Sequence, residues 1–529
     1  MTGRRPEGDV TLTDCFVTSP SGRRPVARSL MIQGTGSHVG KSIIVAGLCR
    51  ILHQDGFRVA PFKSQNMSNN SYVTEDEKEM GRAQAVQAEA ACVTPRVDMN
   101  PILLKPASDV GAQVILHGKP YRIMNAQDYQ FHTLDLLHHV RESFERLAQD
   151  FDRIVIEGAG SPAEINLQAF DIANMRMAEM ANAPVILVGD IDRGGVFASL
   201  VGTLELILPR DRERIKGFVI NKFRGDLELL RPGLEYLEKR TGIPVLGVLP
   251  YMKDLEILEE DGLSDARIER NKVVEDPKKI LIDVIWLPRI SNVTDFSVFD
   301  SQPDVVLTYL RRIPKRLPDV LILPGTKSTT ADLEYLHASG FARWIHEYIE
   351  AGGIVIGICG GYQMLGKRIF DPCDLESSSP SVEGLGYFPV ETVFKAEKIT
   401  KQVTTIHLKS GQEVSGYEIH MGETNPLWDT DPVFEVIQSG NNKTSISEGC
   451  AVLSGRVWGT YLHGVFDNKG FLRYFLNNLR VKKGLAMRLD EPVLGEKDEL
   501  YDRLADVIRT SINMDLFYKI LGSSLKSYV

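Results

Sequence analysis

At 529 residues the chain exceeds what one hydrophobic core normally supports, so more than one domain is expected; 43% hydrophobic and 25% charged residues suit a globular enzyme. The formal net charge of −9, without a long basic run, argues against a nucleic-acid partner, and no apolar run approaches the roughly 18 residues of a membrane span. Six scattered cysteines without a C-x-x-C pair suggest neither a disulfide framework nor a structural zinc site, and a reducing cytoplasm is the simplest location.

Residues 1–28, rich in Arg, Gly, Pro, Ser and Thr, read as an N-terminal extension. A short strand over 30–32 runs into Gly34-Thr35-Gly36-Ser37-His38-Val39-Gly40-Lys41-Ser42 and then an apolar helix over 43–52. Strand, glycine loop, helix is the setting of a phosphate loop: backbone N–H groups converge on phosphate oxygens, Lys41 supplies a point charge and Ser42 offers a hydroxyl to Mg²⁺. The spacing departs from G-x-x-x-x-G-K-[ST], because Thr35 stands where the first glycine belongs. A second strand over 57–63 ends in Lys63, followed by a dense amide and hydroxyl stretch over 64–71, whose composition favours a solvated loop over a ligand-binding surface. Helical patterns follow over 75–92 and 128–148, with a strand over 101–105 between them.

The apolar strand 153–156 ends in Glu157-Gly158-Ala159-Gly160, which sets a carboxylate at the carboxyl edge of the sheet, where nucleotide or metal sits in open α/β folds. Asp190 and Asp192 follow another apolar strand, over 184–188. Strands over 217–220 and 243–249 complete a βα series, implying a mostly parallel sheet with helices on both faces. Charged residues dominate 251–278, a linker, and apolar strands restart at residue 280.

Residues 352–363 read as a nucleophile elbow: the strand Ile354 to Ile358, then Cys359 in a glycine-rich turn opening a helix. A buried structural cysteine explains that stretch equally well. A nucleophilic cysteine needs a base, and His463, at the end of a short strand, is preferred over His420. Helices over 472–483 and 501–521 carry no site that can be argued for.

Together the phosphate loop, residues 60–71, Glu157 to Leu167, the Gly189-Asp190-Ile191-Asp192-Arg193-Gly194-Gly195 segment, Ile220 to Asp226, the Cys359 elbow and Gly416 to Gly422 resemble the cobyric acid synthase family, over about residues 29–520. The resemblance implies two doubly wound α/β domains: a P-loop synthetase of dethiobiotin-synthetase type over 29–250 and a class I glutamine amidotransferase over 279–475, with a helical tail over 476–529. It implies ATP- and glutamine-dependent amidation of the b, d, e and g carboxylates of the corrinoid adenosylcobyrinic acid a,c-diamide, through acyl phosphates. By that resemblance Gly36, Ser37, His38, Val39, Gly40, Lys41, Ser42 and Asn221 hold the nucleotide, Asn221 at the adenine. Ser42, Glu157 and, less strongly, Glu79 hold Mg²⁺, and Lys63 lies near the γ-phosphate and the substrate carboxylate. Cys359 and His463 release ammonia from glutamine, with backbone N–H groups near Gly325 and Gly360 receiving the oxyanion. His38 departs from the Asp common in relatives. The His-x-Glu of the wider amidotransferase class is missing, since Gly464 and Val465 follow His463, as it is in the family resembled; a dyad with an unoriented His predicts slow glutaminase chemistry unless another group fixes the imidazole. Rival readings are a cobyrinic acid a,c-diamide synthase and a P-loop nucleotide switch carrying a degenerate glutaminase domain. No nucleic-acid or membrane partner is expected, and a homo-oligomer is left open.

Overall fold

The computed structural model describes residues 27–106, 111–252, 276–376, 379–489 and 497–522. The extension up to residue 26 and linker residues 253–275 lie outside the described residues. In the first domain six parallel strands stand in the order Val245–Pro250, Ile215–Phe223, Val185–Asp190, Arg28–Gly34, Arg153–Glu157, Val59–Phe62. Covered on both faces, they read as continuous Val/Ile/Leu runs without alternation. Ile32 pairs with Glu157, so the loop that follows Gly34 opens directly beside that carboxylate.

The helix Lys41–Gln54 is buried along most of its length. What covers it is the C-terminal helix Lys497–Ser511. Ile508 and Leu504 press on Gly47, where an added Cβ would lie 2.3 Å from Ile508 Cδ1, and Arg50 reaches Asp498 (3.0 Å) and Asp502 (2.7 Å). The expected single tail therefore divides: Lys469–Lys482 packs in the second domain's core, whereas Lys497–Ser511 and Met514–Ile520 return to the first. An amphipathic helix declares that it will be covered, without naming the surface that covers it.

Three local expectations differ from the structure. Over 75–92 the helix is confined to Arg82–Ala90, because Glu79–Gly81 forms a strand against Ser71–Val73 and the Glu79 carboxylate is drawn into a buried cluster of charges. The 128–148 helix becomes Ala126–Phe131 and Thr133–Asp150, separated at His132. The polar stretch over 64–71 is largely buried: Ser64, Asn66, Ser68, Asn70 and Ser71 are all nearly inaccessible, and Gln65–Met67 pairs with Ile102–Pro106. Composition favoured a solvated loop there because it cannot show that a second domain supplies the hydrogen-bond partners.

The second domain repeats the plan with Val305–Leu310, Ile280–Ile285, Val320–Leu323, Val355–Ile358 and Val457–Thr460 in parallel, and Cys450–Val452 antiparallel at the edge. The long antiparallel strands Val390–His407 and Glu413–Pro426 reach the first domain, where Gln402 Nε2 donates to Val73 O (2.8 Å) and Tyr417 OH to Ser71 O (3.3 Å). Ile508 is fully buried under the helix that carries the phosphate loop. Ile508→Ala is expected to destabilise the first domain by about 2–5 kcal/mol, read as an earlier first transition in calorimetry; an unshifted transition would mean the tail is only loosely docked.

Candidate active sites at the domain seam

The phosphate loop is braced from outside. His38 and Gly40 take positive φ (60° and 95°), and a Cβ on Gly40 would lie 2.2 Å from Asn221 Nδ2, so only glycine fits there. Asn221 Nδ2 donates to Val39 O (2.9 Å) and Lys222 Nζ to His38 O (2.7 Å). Asn221 thus supports the loop, and its Oδ1 has no hydrogen-bond partner among the described residues. The displaced glycine has a simple cause: Thr35 N still donates to Val188 O (2.9 Å), extending the sheet, while a Cβ on Gly34 would come within 2.5 Å of Val39 Cγ2. Lys41 Nζ donates to Gly36 O (2.8 Å) and Gly160 O (3.1 Å).

Glu157, almost wholly buried, accepts from Ser42 Oγ (2.8 Å) and Lys63 Nζ (2.9 Å) on one oxygen and from Gln87 Nε2 (2.5 Å) on the other. Burial alone would push this carboxyl up; Lys63 and the hydrogen bonds hold it below its ordinary value. Gln87, unforeseen from the sequence, leaves its Oε1 without a hydrogen-bond partner among the described residues. Ser42 Oγ, the Glu157 carboxylate and that amide oxygen are hard donors, a set that fits Mg²⁺ shared with nucleotide phosphates. Asp190 and Asp192, at the same sheet edge, are paired with Lys222 (3.5 Å) and Arg224 (2.9 Å).

In the second domain Cys359 takes φ 50° and ψ −104° between the strand Val355–Ile358 and the helix Gly360–Leu365, a strained turn for a side-chain-bearing residue. Gly361 makes the close approach possible, since a Cβ there would lie 2.0 Å from Leu323 O. Gly360 opens the helix, so its N–H is an orphan donor at the helix start. Gly325 lies against the base: its added Cβ would meet His463 Cε1 at 3.1 Å. Ile358 pairs with Thr460, and this register brings His463 into the cavity that Cys359 lines, where Cys359 Sγ donates to Ile419 O (3.5 Å).

His463 does not lack an orienting carboxylate. Its Nδ1 lies 2.6 Å from Asp295 Oδ2, and Gly464 N donates to Asp295 Oδ1 (3.1 Å). Burial draws the imidazole pKa down, but Asp295 overrides it and raises the value from 6.5 to about 10. Asp295 lies 168 residues before the histidine, and no local spacing could have pointed to it. The rival His420 lines the same cavity, but its ring is engaged elsewhere, with Nδ1 on Gly422 O (2.6 Å), Nε2 3.4 Å from Glu418 Oε2 and the ring stacked on Tyr461.

The segment carrying Asp295 is gripped by the first domain. Ser71 N donates to Asn292 Oδ1 (2.9 Å) and Val293 N to Asn70 Oδ1 (3.1 Å), while Asn292 Nδ2 lies 3.3 and 3.4 Å from the two His463 ring nitrogens. Beside it, Glu79 is enclosed by Lys105 (2.7 Å), Ser71 Oγ (2.7 Å) and Lys398. Those two ammoniums hold it ionised, well below the ordinary carboxylate range despite its burial. Glu79 is therefore set apart from Ser42 and Glu157, and the expectation that it joins them at a metal is corrected: both its oxygens already face lysines.

A phosphate-loop domain fused through such a seam to a Cys-His-Asp elbow domain defines a glutamine-hydrolysing carbon–nitrogen ligase. Residues 30–264 match the CobQ/CobB/MinD/ParA nucleotide binding domain and residues 281–471 the CobB/CobQ-like glutamine amidotransferase domain. The chain is 48% identical to a cobyric acid synthase of Desulforamulus reducens over 94% of its own length and 98% of the relative's, 49% identical to one of Streptococcus sanguinis (95% and 100%), and 50% identical to one of Thermoanaerobacter sp. (94% and 99%). The chain belongs to the cobyric acid synthase family.

Asp295 carries a sharp expectation. In Asp295→Asn the largest opposition to the burial that lowers the His463 pKa is removed, so the ring should titrate well below about 10, and glutamine hydrolysis should fall about 10²–10⁴-fold. An NMR titration of ¹⁵N-labelled histidine checks the first part; an unmoved midpoint would remove Asp295 from this role.

Proposed function

We propose that this protein amidates the b, d, e and g side-chain carboxylates of adenosylcobyrinic acid a,c-diamide to give adenosylcobyric acid, using ATP and glutamine. The observation that carries the reading is the seam itself: an intact Cys359-His463-Asp295 constellation held by hydrogen bonds from the domain that contains Lys41, Lys63 and Glu157. An oriented base argues against the nucleotide-switch alternative, which needs no working glutaminase. Full-length likeness to proteins named cobyric acid synthase favours this reading over the a,c-diamide synthase.

On the synthetase side a carboxylate resists ammonia, because its leaving group would be oxide. A carboxylate oxygen attacks the γ-phosphorus, ADP departs, and the resulting acyl phosphate loses phosphate when ammonia attacks its carbonyl carbon. Loop N–H groups and Lys41 take up charge on the transferring phosphoryl group. Lys63, held by Glu157, stands where it can draw the substrate carboxylate to the γ-phosphate, and Asn221 Oδ1 is the atom left to face the base. Mg²⁺, held by Ser42 and Glu157, would neutralise phosphate charge when bound.

On the glutaminase side His463 as imidazolium faces the sulfur, the charge partner that a thiolate nucleophile requires. The thiolate attacks the amide carbon, the Gly360 N–H at the helix start and the backbone at Gly325 receive the oxyanion, and His463 protonates the departing ammonia. It then takes a proton from the water that hydrolyses the thioester.

Two variants separate the sites. Cys359→Ala should lower glutamine-driven amidation at least about 10³-fold and leave amidation with high ammonium intact, whereas Lys41→Ala should abolish both. Product masses from the a,c-diamide should rise in four amidation steps; amidation confined to the a and c positions of cobyrinic acid would contradict the proposed substrate.

A further inference from the structure

The cavity at Cys359 presents charged groups that ammonia release does not itself require: Lys327, Glu376 and Lys398 from the second domain and Lys105 from the first. They are not equivalent. Lys105 and Lys398 are both engaged by the Glu79 carboxylate. Lys327 makes no hydrogen bond or ion pair through its ammonium among the described residues, although its backbone is fixed by Lys327 N donating to Arg289 O (2.9 Å). Burial lowers its pKa and Lys105 adds to that, while Glu376 works the other way. Such a side chain is costly to hold half-buried unless an anion arrives to meet it.

Glu376 is the complementary group. Its Oε2 accepts from Thr329 N (2.6 Å) at the start of the helix Thr329–Ala338. Burial pushes this carboxyl up to about 7, opposed by Lys327 and by the backbone donors, yet no ion pair joins the two side chains. An ammonium and a carboxyl that line one cavity without pairing, beside a nucleophile that attacks a carboxamide, match the far end of a free α-amino acid. The reacting carboxamide sits at Cys359, and the α-carboxylate and α-ammonium remain to be recognised.

We propose that Lys327 and Glu376 form the subsite that selects free glutamine, Lys327 binding the α-carboxylate and Glu376 the α-ammonium; this rests on Cys359 being the glutaminase nucleophile. The pair would admit free glutamine and reject carboxamides within peptides or simple amides, because an unanswered charge is left in the cavity when either substrate group is missing.

The test uses the full-length protein, measuring ammonia release from L-glutamine, from its α-methyl ester, which lacks the carboxylate charge, and from 4-carbamoylbutyrate, which lacks the amino group. Lys327→Met should lower kcat/KM for glutamine about 30-fold, mainly through KM, and leave kcat/KM for the methyl ester unchanged. Glu376→Gln should lower it for glutamine by about 10-fold or more and leave that for 4-carbamoylbutyrate unchanged. Ammonium-driven amidation, which bypasses this cavity, reports whether each variant is folded. Equal losses on glutamine and on the analogue lacking the matching group would overturn the subsite, as would no loss on glutamine. If instead Cys359→Ala kept glutamine-driven amidation, the underlying reading would fail, and the subsite with it.

Discussion

The buried ion pair of Asp295 and His463 is the interaction on which the glutaminase half depends. Taking both charges out of water is expensive, and the pair is supported by Gly464 N–H, which donates to the second oxygen of the carboxylate. Removing one partner of such a pair costs about 3–5 kcal/mol, since the other is left charged and unanswered. The position of Asp295 is fixed in turn by Asn292 and Val293, whose hydrogen bonds come from Asn70 and Ser71 of the other domain. The base of one active site is thus supported by the domain that contains the other.

The synthetase half solves a parallel problem. Glu157 is a buried carboxylate at the carboxyl edge of a parallel sheet, made stable by Lys63, Ser42 and Gln87. In both domains the chemistry lies just beyond the strand ends, where the rigid sheet sets position and the turn that follows supplies N–H groups. The stretch over 63–71 runs from one centre to the other: Lys63 meets Glu157 at its start, and Asn70 and Ser71 meet Asn292 and Val293 at its end. Its density of amides and hydroxyls follows from that service, because a buried connection needs a partner for every polar atom.

What could be read in advance was what is local. The phosphate loop, the carboxylate after a strand and the cysteine in a glycine-rich elbow each declare themselves within about ten residues, because backbone geometry and residue type act together there. The order of the βα series was legible from continuous apolar strands. Asp295, Gln87 and Asn292 were not, since their roles exist only once segments distant in the chain are packed together. Glu79 misled for a related reason: a lone acidic residue in a helical pattern gives no sign that two lysines, one of them more than 300 positions later, will enclose it. The C-terminal helix likewise returns to the first domain by a long-range apolar fit on Gly47 that no periodicity encodes.

Asn70→Ala tests the coupling across the seam most directly, because Asn70 belongs to the synthetase domain and meets the glutaminase segment through Val293 N. The measurement is the ratio of glutamine hydrolysis to ammonium-driven amidation in that variant and in the unaltered protein. Loss of the hydrogen bond to Val293 N should lower glutamine hydrolysis about 10-fold while ammonium-driven amidation holds, so the ratio falls. An unchanged ratio would contradict the account, showing that the glutaminase centre is assembled without help from its neighbour.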